Sequence, residues 1–188
     1  MTRTFLAAVV AALALPVLAL AAMIGQQERL MINAPVINVA LLGVDPRDLL
    51  RGRYIVAGFA WDWASEPAAG ASTPPLSGGL CVLEGAAPQP RVRFIDGWKQ
   101  GERIADGCRM MLAGSAWPKT DITPARFMPD DLDAGDGRMK IFVPEQQAPV
   151  LENLIRARPG ALTLDLAVRA DGQTAIKAVR VDGKVLGR

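Results

Sequence analysis

From Thr4 to Ile24 the chain is almost wholly apolar, and Pro16 is the one break in the run. No charged side chain lies between Arg3 and Glu28. At about 1.5 Å rise per residue such a run predicts a helix able to cross a hydrocarbon core of ~30 Å. A helix is also the only single segment that satisfies its own backbone polar groups in lipid. The expectation is one N-terminal transmembrane helix kinked at Pro16, followed by a short helical stalk over Gln26–Asn33 that Ala34-Pro35 ends. A cleaved signal peptide is the competing reading, with Arg3 as its charged start and Ala19-Leu20-Ala21 as a small-x-small cleavage site. The run exceeds the usual 7–15 apolar residues of such a peptide, which favours retention. Both readings export the remainder of the chain.

Beyond residue 35 the period changes from continuous to alternating. Val36–Val44 is a β-branched apolar run ending at a turn signal and predicts a first, mostly buried strand. Arg53–Trp63 predicts a second, with Ile55, Ala57, Phe59, Trp61 and Trp63 on the buried face. Residues 65–77 lack any period and predict a loop. Strands follow over 79–84 and 91–96 as a hairpin, then over 108–113, a short edge strand within 122–127, and 138–143. Glu145–Ala157 carries Val150, Leu151, Leu154 and Ile155 at helical spacing and stops at Arg158-Pro159-Gly160. Two further strands, 161–168 and 175–181, flank Asp171-Gly172, a hairpin signal. Asp182-Gly183 offers a last turn.

Composition narrows the chemistry. Histidine is absent, which removes Ser-His-Asp and Cys-His catalysis and every His-ligated metal site. The net charge of +2, with both signs interleaved, gives no electrostatic footprint for nucleic acid. Eighteen glycines and fourteen prolines suit many short elements joined by tight turns. The acids between Asp130 and Asp136 lack the spacing of a calcium loop and read as a solvated turn. Cys81 and Cys108 are the only cysteines. In an oxidising compartment they can form a bridge; as two buried thiols they would pack as small hydrophobes. No cofactor and no metal site is expected.

The densest group of candidate residues lies in the turn half of Val44–Phe59. Asp45 can accept hydrogen bonds from the following backbone, Pro46 fixes its own φ, and Gly52 suits a left-handed or close-approach position. Arg47, Asp48 and Arg51 form either a solvated, salt-bridged loop or a docking patch. With Gly52 and Tyr54 following, this stretch resembles the GDYXXLXY family of membrane-anchored bacterial proteins. Ile141-Phe142-Val143-Pro144-Glu145, Leu151-Glu152 and Val181-Asp182-Gly183-Lys184 are similar to the family as well. Arg53 stands where the family name has Asp, Ala57 where it has Leu, and Phe59 where it has Tyr, so no role of that acid carries over. The resemblance implies a single-pass protein of the inner membrane whose C-terminal domain is extracytoplasmic, with a polytopic membrane protein as companion; it implies no particular reaction. The same turn-then-strand pattern resembles signal peptidases more weakly. The turn holds no serine, threonine or cysteine, and the first lysine of the chain is Lys99, so the activated hydroxyl and its amine base are missing there.

The expected fold is therefore α+β and β-rich: seven to nine short, mainly antiparallel strands and one helix in the C-terminal half, preceded by a single transmembrane helix. Residues 1–34 form the anchor and stalk, and 35–188 the extracytoplasmic domain. The expected function is a non-enzymatic envelope accessory module. It touches lipid through the N-terminal helix and an integral membrane protein through Asp45, Arg47, Asp48, Arg51, Gly52 and Tyr54. The alternatives are a carboxylate-dependent hydrolase or peptidase using Asp45 and Asp48, and a small-ligand or lipid-binding domain marked by an apolar pocket.

Overall fold

The computed structural model describes residues 2–43, 54–68, 75–83, 89–133, 137–142, 148–158 and 160–186. The chain divides into two units, Met1–Ala34 and Pro35–Arg188. The first is a helix, α1 (Thr2–Ile32), with Pro16 inside it. Among the described residues no helix is long and apolar enough to cross a membrane. The predicted transmembrane helix is corrected accordingly. The apolar part of α1 ends before its last turns. Glu28 and Arg29 follow it. The single-pass inner-membrane placement rested on that helix and is not supported.

The second unit holds two sheets. The strands are β1 (Val36–Gly43), β2 (Tyr54–Phe59), β3 (Asp62–Ser65), β4 (Leu76–Val82), β5 (Arg91–Asp96), β6 (Met110–Trp117), β7 (Arg126–Pro129), β8 (Met139–Phe142), β9 (Leu162–Val168), β10 (Thr174–Val181) and β11 (Lys184–Val185). The first sheet runs β11-β10-β9-β1-β2-β8 and the second β3-β5-β4-β6-β7. Neighbours are antiparallel except β3 and β5, which are parallel. The second helix is α2 (Ala148–Ala157). Pro149 lies in its first turn, where the missing N–H costs no hydrogen bond.

The β-rich part of the expected class is present, with more strands than predicted. The predicted second strand splits in two. At Ala60–Trp61 the chain leaves the first sheet and enters the second. Ala60 N–H donates to Ala40 O at 2.9 Å and Asp62 N–H to Pro90 O at 3.3 Å. The Trp61 indole donates to Phe127 O at 3.1 Å, and its ring meets those of Phe59 and Phe127. Alternation continues through the crossover, because Ala57, Phe59 and Trp61 all face the core; the pattern alone therefore does not reveal it. The other added strand is β11, which the Asp182-Gly183 turn folds back on β10.

One core lies between the sheets. Ile37, Val39 and Leu41 of β1 and the alternate residues Leu162, Leu164, Leu166 and Val168 of β9 meet Leu80, Val82, Leu112 and Phe127 of the second sheet, with Leu151 of α2 joining them. A smaller cluster sits on the outer face of the second sheet. There Trp98 covers Cys81, Met111 and Ala113, and a disulfide joins Cys81 to Cys108. The loop after β5 is thus held to the sheet at two points. The β9–β10 turn closes on it: Gly101 N–H donates to Asp171 O at 2.9 Å and Ala113 N–H to Gly172 O at 3.0 Å. Gly172 has φ +90, and a Cβ there would lie 2.7 Å from the Trp98 ring; only glycine meets both demands.

Candidate functional site

Of the turn residues singled out from sequence, Asp45, Arg47, Asp48, Arg51 and Gly52 lie outside the described residues. Tyr54 opens β2, opposite Phe142 of β8. The described acids of the 130–136 run take up structural bonds, and Asp136 lies outside the described residues: Asp131 accepts the Thr174 N–H at 2.9 Å, Asp133 the Gly137 N–H at 3.0 Å, and Asp130 the Ser115 hydroxyl at 3.4 Å. The Asp130 carboxyl is held above its ordinary value of 3.8, first by partial burial, against the Ser115 bond, with Asp131 and Asp133 adding repulsion. Among the described residues no group of three or more Cys, Asp or Glu is placed to hold a metal ion.

The most developed polar arrangement is one that sequence reasoning missed. It is built on three adjacent strands of the first sheet. Register sets Asn38 of β1 opposite Asp165 of β9, and Arg180 of β10 opposite Thr163 of β9. Side chains two apart share a face, so Thr163 and Asp165 point away from the core that Leu162, Leu164 and Leu166 fill. The Asn38 amide donates to Asp165 Oδ1 at 2.8 Å and to Thr163 Oγ1 at 3.0 Å. Arg180 Nε donates to Asp165 Oδ2 at 2.7 Å, and Nη1 to Gly183 O at 3.1 Å. Thr163 and Asp165 are 7% and 8% exposed. A carboxylate so buried needs its partners, and here it has an amide and a guanidinium. These four side chains line an open cavity of about 390 Å³ with residues 160–161 and 182–183 at its rim.

On the other side of Asp182 lies an apolar groove of about 540 Å³, walled by Val150, Leu151 and Leu154 of α2, Val181 of β10 and Leu186. Arg158 and Asp182 close one end with an ion pair at 2.9 Å. Asp182 has φ +47 and Gly183 φ +78, the pair of left-handed residues that a two-residue hairpin turn requires. This turn therefore carries the rim of the polar cavity and the end of the apolar groove together. The individual signals were present in the sequence: Asn38, Thr163, Asp165 and Arg180 are polar residues at alternate positions of otherwise apolar or mixed strands. What brings them together is register between strands far apart in the chain, which a single sequence does not display.

Fold and site together define a small disulfide-tied domain of two mainly antiparallel sheets, with a polar cavity and an apolar groove at one edge. The model of the GDYXXLXY protein family matches residues 16–179, and the chain belongs to that family. No curated protein and no solved structure matches it.

Proposed function

We propose that the domain is a non-enzymatic binding module of the cell envelope, and that it docks an extracytoplasmic segment of an integral membrane protein. The observation that carries this reading is the apolar groove between α2 and the β10–β11 hairpin. Its walls are largely aliphatic, and Val150 at its lip is 67% exposed. The fully buried core of a protein contact is more apolar than its surroundings, and its rim is polar. The Arg158–Asp182 pair is such a rim. An extracytoplasmic site is supported by the Cys81–Cys108 bridge, since structural disulfides persist mainly in oxidising compartments. The charged turn Asp45–Arg51 is the second element of the proposed contact.

A photoreactive amino acid at Val150, introduced into the full chain in its own cells, tests this. The expected result is one discrete adduct with a membrane protein. Leu154→Asp should abolish it and Arg47→Ala with Arg51→Ala should weaken it, while a probe at the exposed Ile122 gives none. Absence of any adduct from Val150, or the same adducts from Ile122, would refute the reading.

A further inference from the structure

We propose that the polar cavity on the opposite side of Asp182 is a second site, independent of the groove, that binds a neutral polyhydroxylated ligand: the vicinal hydroxyls of a sugar. The first ground is the balance of donors and acceptors left over. Asn38 spends both amide hydrogens on Thr163 and Asp165, leaving its carbonyl oxygen to accept. Thr163 Oγ1 accepts from Asn38, leaving its own O–H to donate. Arg180 uses Nε on Asp165 and one Nη1 hydrogen on Gly183 O; its other hydrogens, including both on Nη2, have no acceptor among the described residues. Asp165 has lone pairs beyond the two bonds it accepts. Donors and acceptors are therefore interleaved around one cavity. A hydroxyl group, which donates and accepts at once, matches that pattern better than a group that does only one.

The second ground is charge. The cation that lines the cavity already has its anion, since Arg180 holds Asp165 at 2.7 Å, and the rim carboxylate Asp182 is held from outside the cavity by Arg158 at 2.9 Å. A carboxylate or phosphate ligand would have to compete with Asp165 for Arg180, and would approach Asp182 as well. An ammonium ligand would have to compete with Arg180 for Asp165. A neutral ligand displaces only water. The third ground is rigidity. Thr163 and Asp165 are nearly buried on a central strand flanked by β1 and β10, so the polar groups are fixed before a ligand arrives and little ordering entropy remains to be lost. Gly160 and Gly183 put no side chain at their places on the rim. The volume of about 390 Å³ is at the small end of ligand pockets, and no aromatic ring is among the lining residues. The site suits one sugar ring held by hydrogen bonds alone, with affinity in the millimolar range.

Nuclear magnetic resonance on the isotope-labelled full chain reads the site directly through the Asn38 side-chain amide and the Arg180 Nε–H. Glucose, maltotetraose, inorganic phosphate and putrescine serve as probes. Saturable shifts of both signals with a sugar, and none with phosphate or putrescine, are the expected result. Equal affinity for glucose and maltotetraose would mark a free monosaccharide as the natural ligand class, and tighter binding of maltotetraose a glycan chain. Thr163→Val, which removes at constant shape both the O–H donor and the acceptor of one Asn38 hydrogen, should weaken sugar binding about fivefold. Arg180→Lys, which keeps the charge and loses the fork, should weaken it at least as much. Either variant suffices, so failure of one to fold does not stop the test. Absence of a saturable shift with either sugar, or tighter binding of phosphate or putrescine, would overturn the proposal and leave the cluster as a structural network only. Because the readout is confined to Asn38 and Arg180, this result stands apart from the fate of the groove adduct.

Discussion

Breaking the Cys81–Cys108 bridge should lower stability by about 3.5 kcal/mol, and chiefly through the unfolded chain. The two cysteines are 27 residues apart. For a closed loop of that length the chain-entropy relation gives about 12 cal/mol/K of lost freedom in the unfolded state, or about 3.5 kcal/mol at room temperature. The native loop has other holds. Trp98 is 7% exposed, and its indole donates to Arg103 O at 3.1 Å. Arg93 Nη2 donates to Asp106 O at 2.6 Å, and the Arg109 N–H to Val82 O at 2.9 Å. These contacts do not depend on the S–S bond, so reduction should leave the native tryptophan emission little changed while the unfolding midpoint falls.

Guanidinium titration of the full chain, oxidised and reduced, measures this, with Cys81→Ala/Cys108→Ala as a second form. Comparing the two separates the crosslink from the packing of Cys81, which is fully buried. Reduction leaves both sulfurs in place, whereas the double alanine form also opens a small void and should be somewhat less stable. At about 2–4 °C per kcal/mol for a chain of this size, the thermal midpoint should fall by about 7–14 °C. The denaturant slope should rise, because an uncrosslinked chain exposes more surface. Equal midpoints for the oxidised and reduced forms would refute the reasoning, as would recovery of two alkylatable thiols from unreduced, denatured protein.

Gly172→Ala should cost about 1–3 kcal/mol, since it adds a Cβ at φ +90 against Trp98 and the Ala113 N–H; a loss below about 0.5 kcal/mol in the same titration would mean that the turn is not held against that ring. Asp130→Asn should remove a pH dependence. A carboxyl raised above 3.8 in the folded state binds its proton more tightly folded than unfolded, so its contribution to stability is greatest in acid and declines as pH rises from about 3.8 through the raised value. The variant should therefore gain on the parent as pH rises through that window, by midpoints taken below 3.8 and near neutrality; a constant or reversed difference would contradict the assignment.

Much of the scaffold was legible because local chemistry and long-range packing agree. Arg91–Asp96 is a strand with the bounds its alternation predicts, and the helix ends at Ala157 where Arg158-Pro159-Gly160 stops it. The β9–β10 hairpin turns at Asp171-Gly172 because glycine supplies the left-handed residue. Three things were not legible, each for a physical reason. The break at Ala60–Trp61 leaves no gap in the alternation, since the core lies between the sheets and the same face stays buried on both sides of the crossing. Leu76–Ser77 joins β4 ahead of the predicted start at Gly79: Gly78 lies so close to Phe94 and Ile95 O that a Cβ would collide, and no local signal announces that approach. The polar cluster needed the pairing of residue 38 with 165 and of 163 with 180, which only the folded sheet supplies.

The Arg158–Asp182 pair bears on why both concavities fall at one edge. Its side chains are 59% and 49% exposed, and an exposed pair contributes only about 0–1 kcal/mol. Stability is therefore a poor account of it. Its geometric consequence is larger. Asp182 is the only non-glycine residue with positive φ among the described residues, a conformation that aspartate tolerates better than most residues. In that conformation its side chain reaches the end of α2, while the next residue, Gly183, offers its carbonyl to Arg180. One two-residue turn thus contacts both the end of the helix that walls the apolar groove and the guanidinium that lines the polar cavity. Asp-Gly is a favoured pair for such a turn. A turn rebuilt from residues that avoid positive φ would keep the sheet and lose the alignment of both recesses.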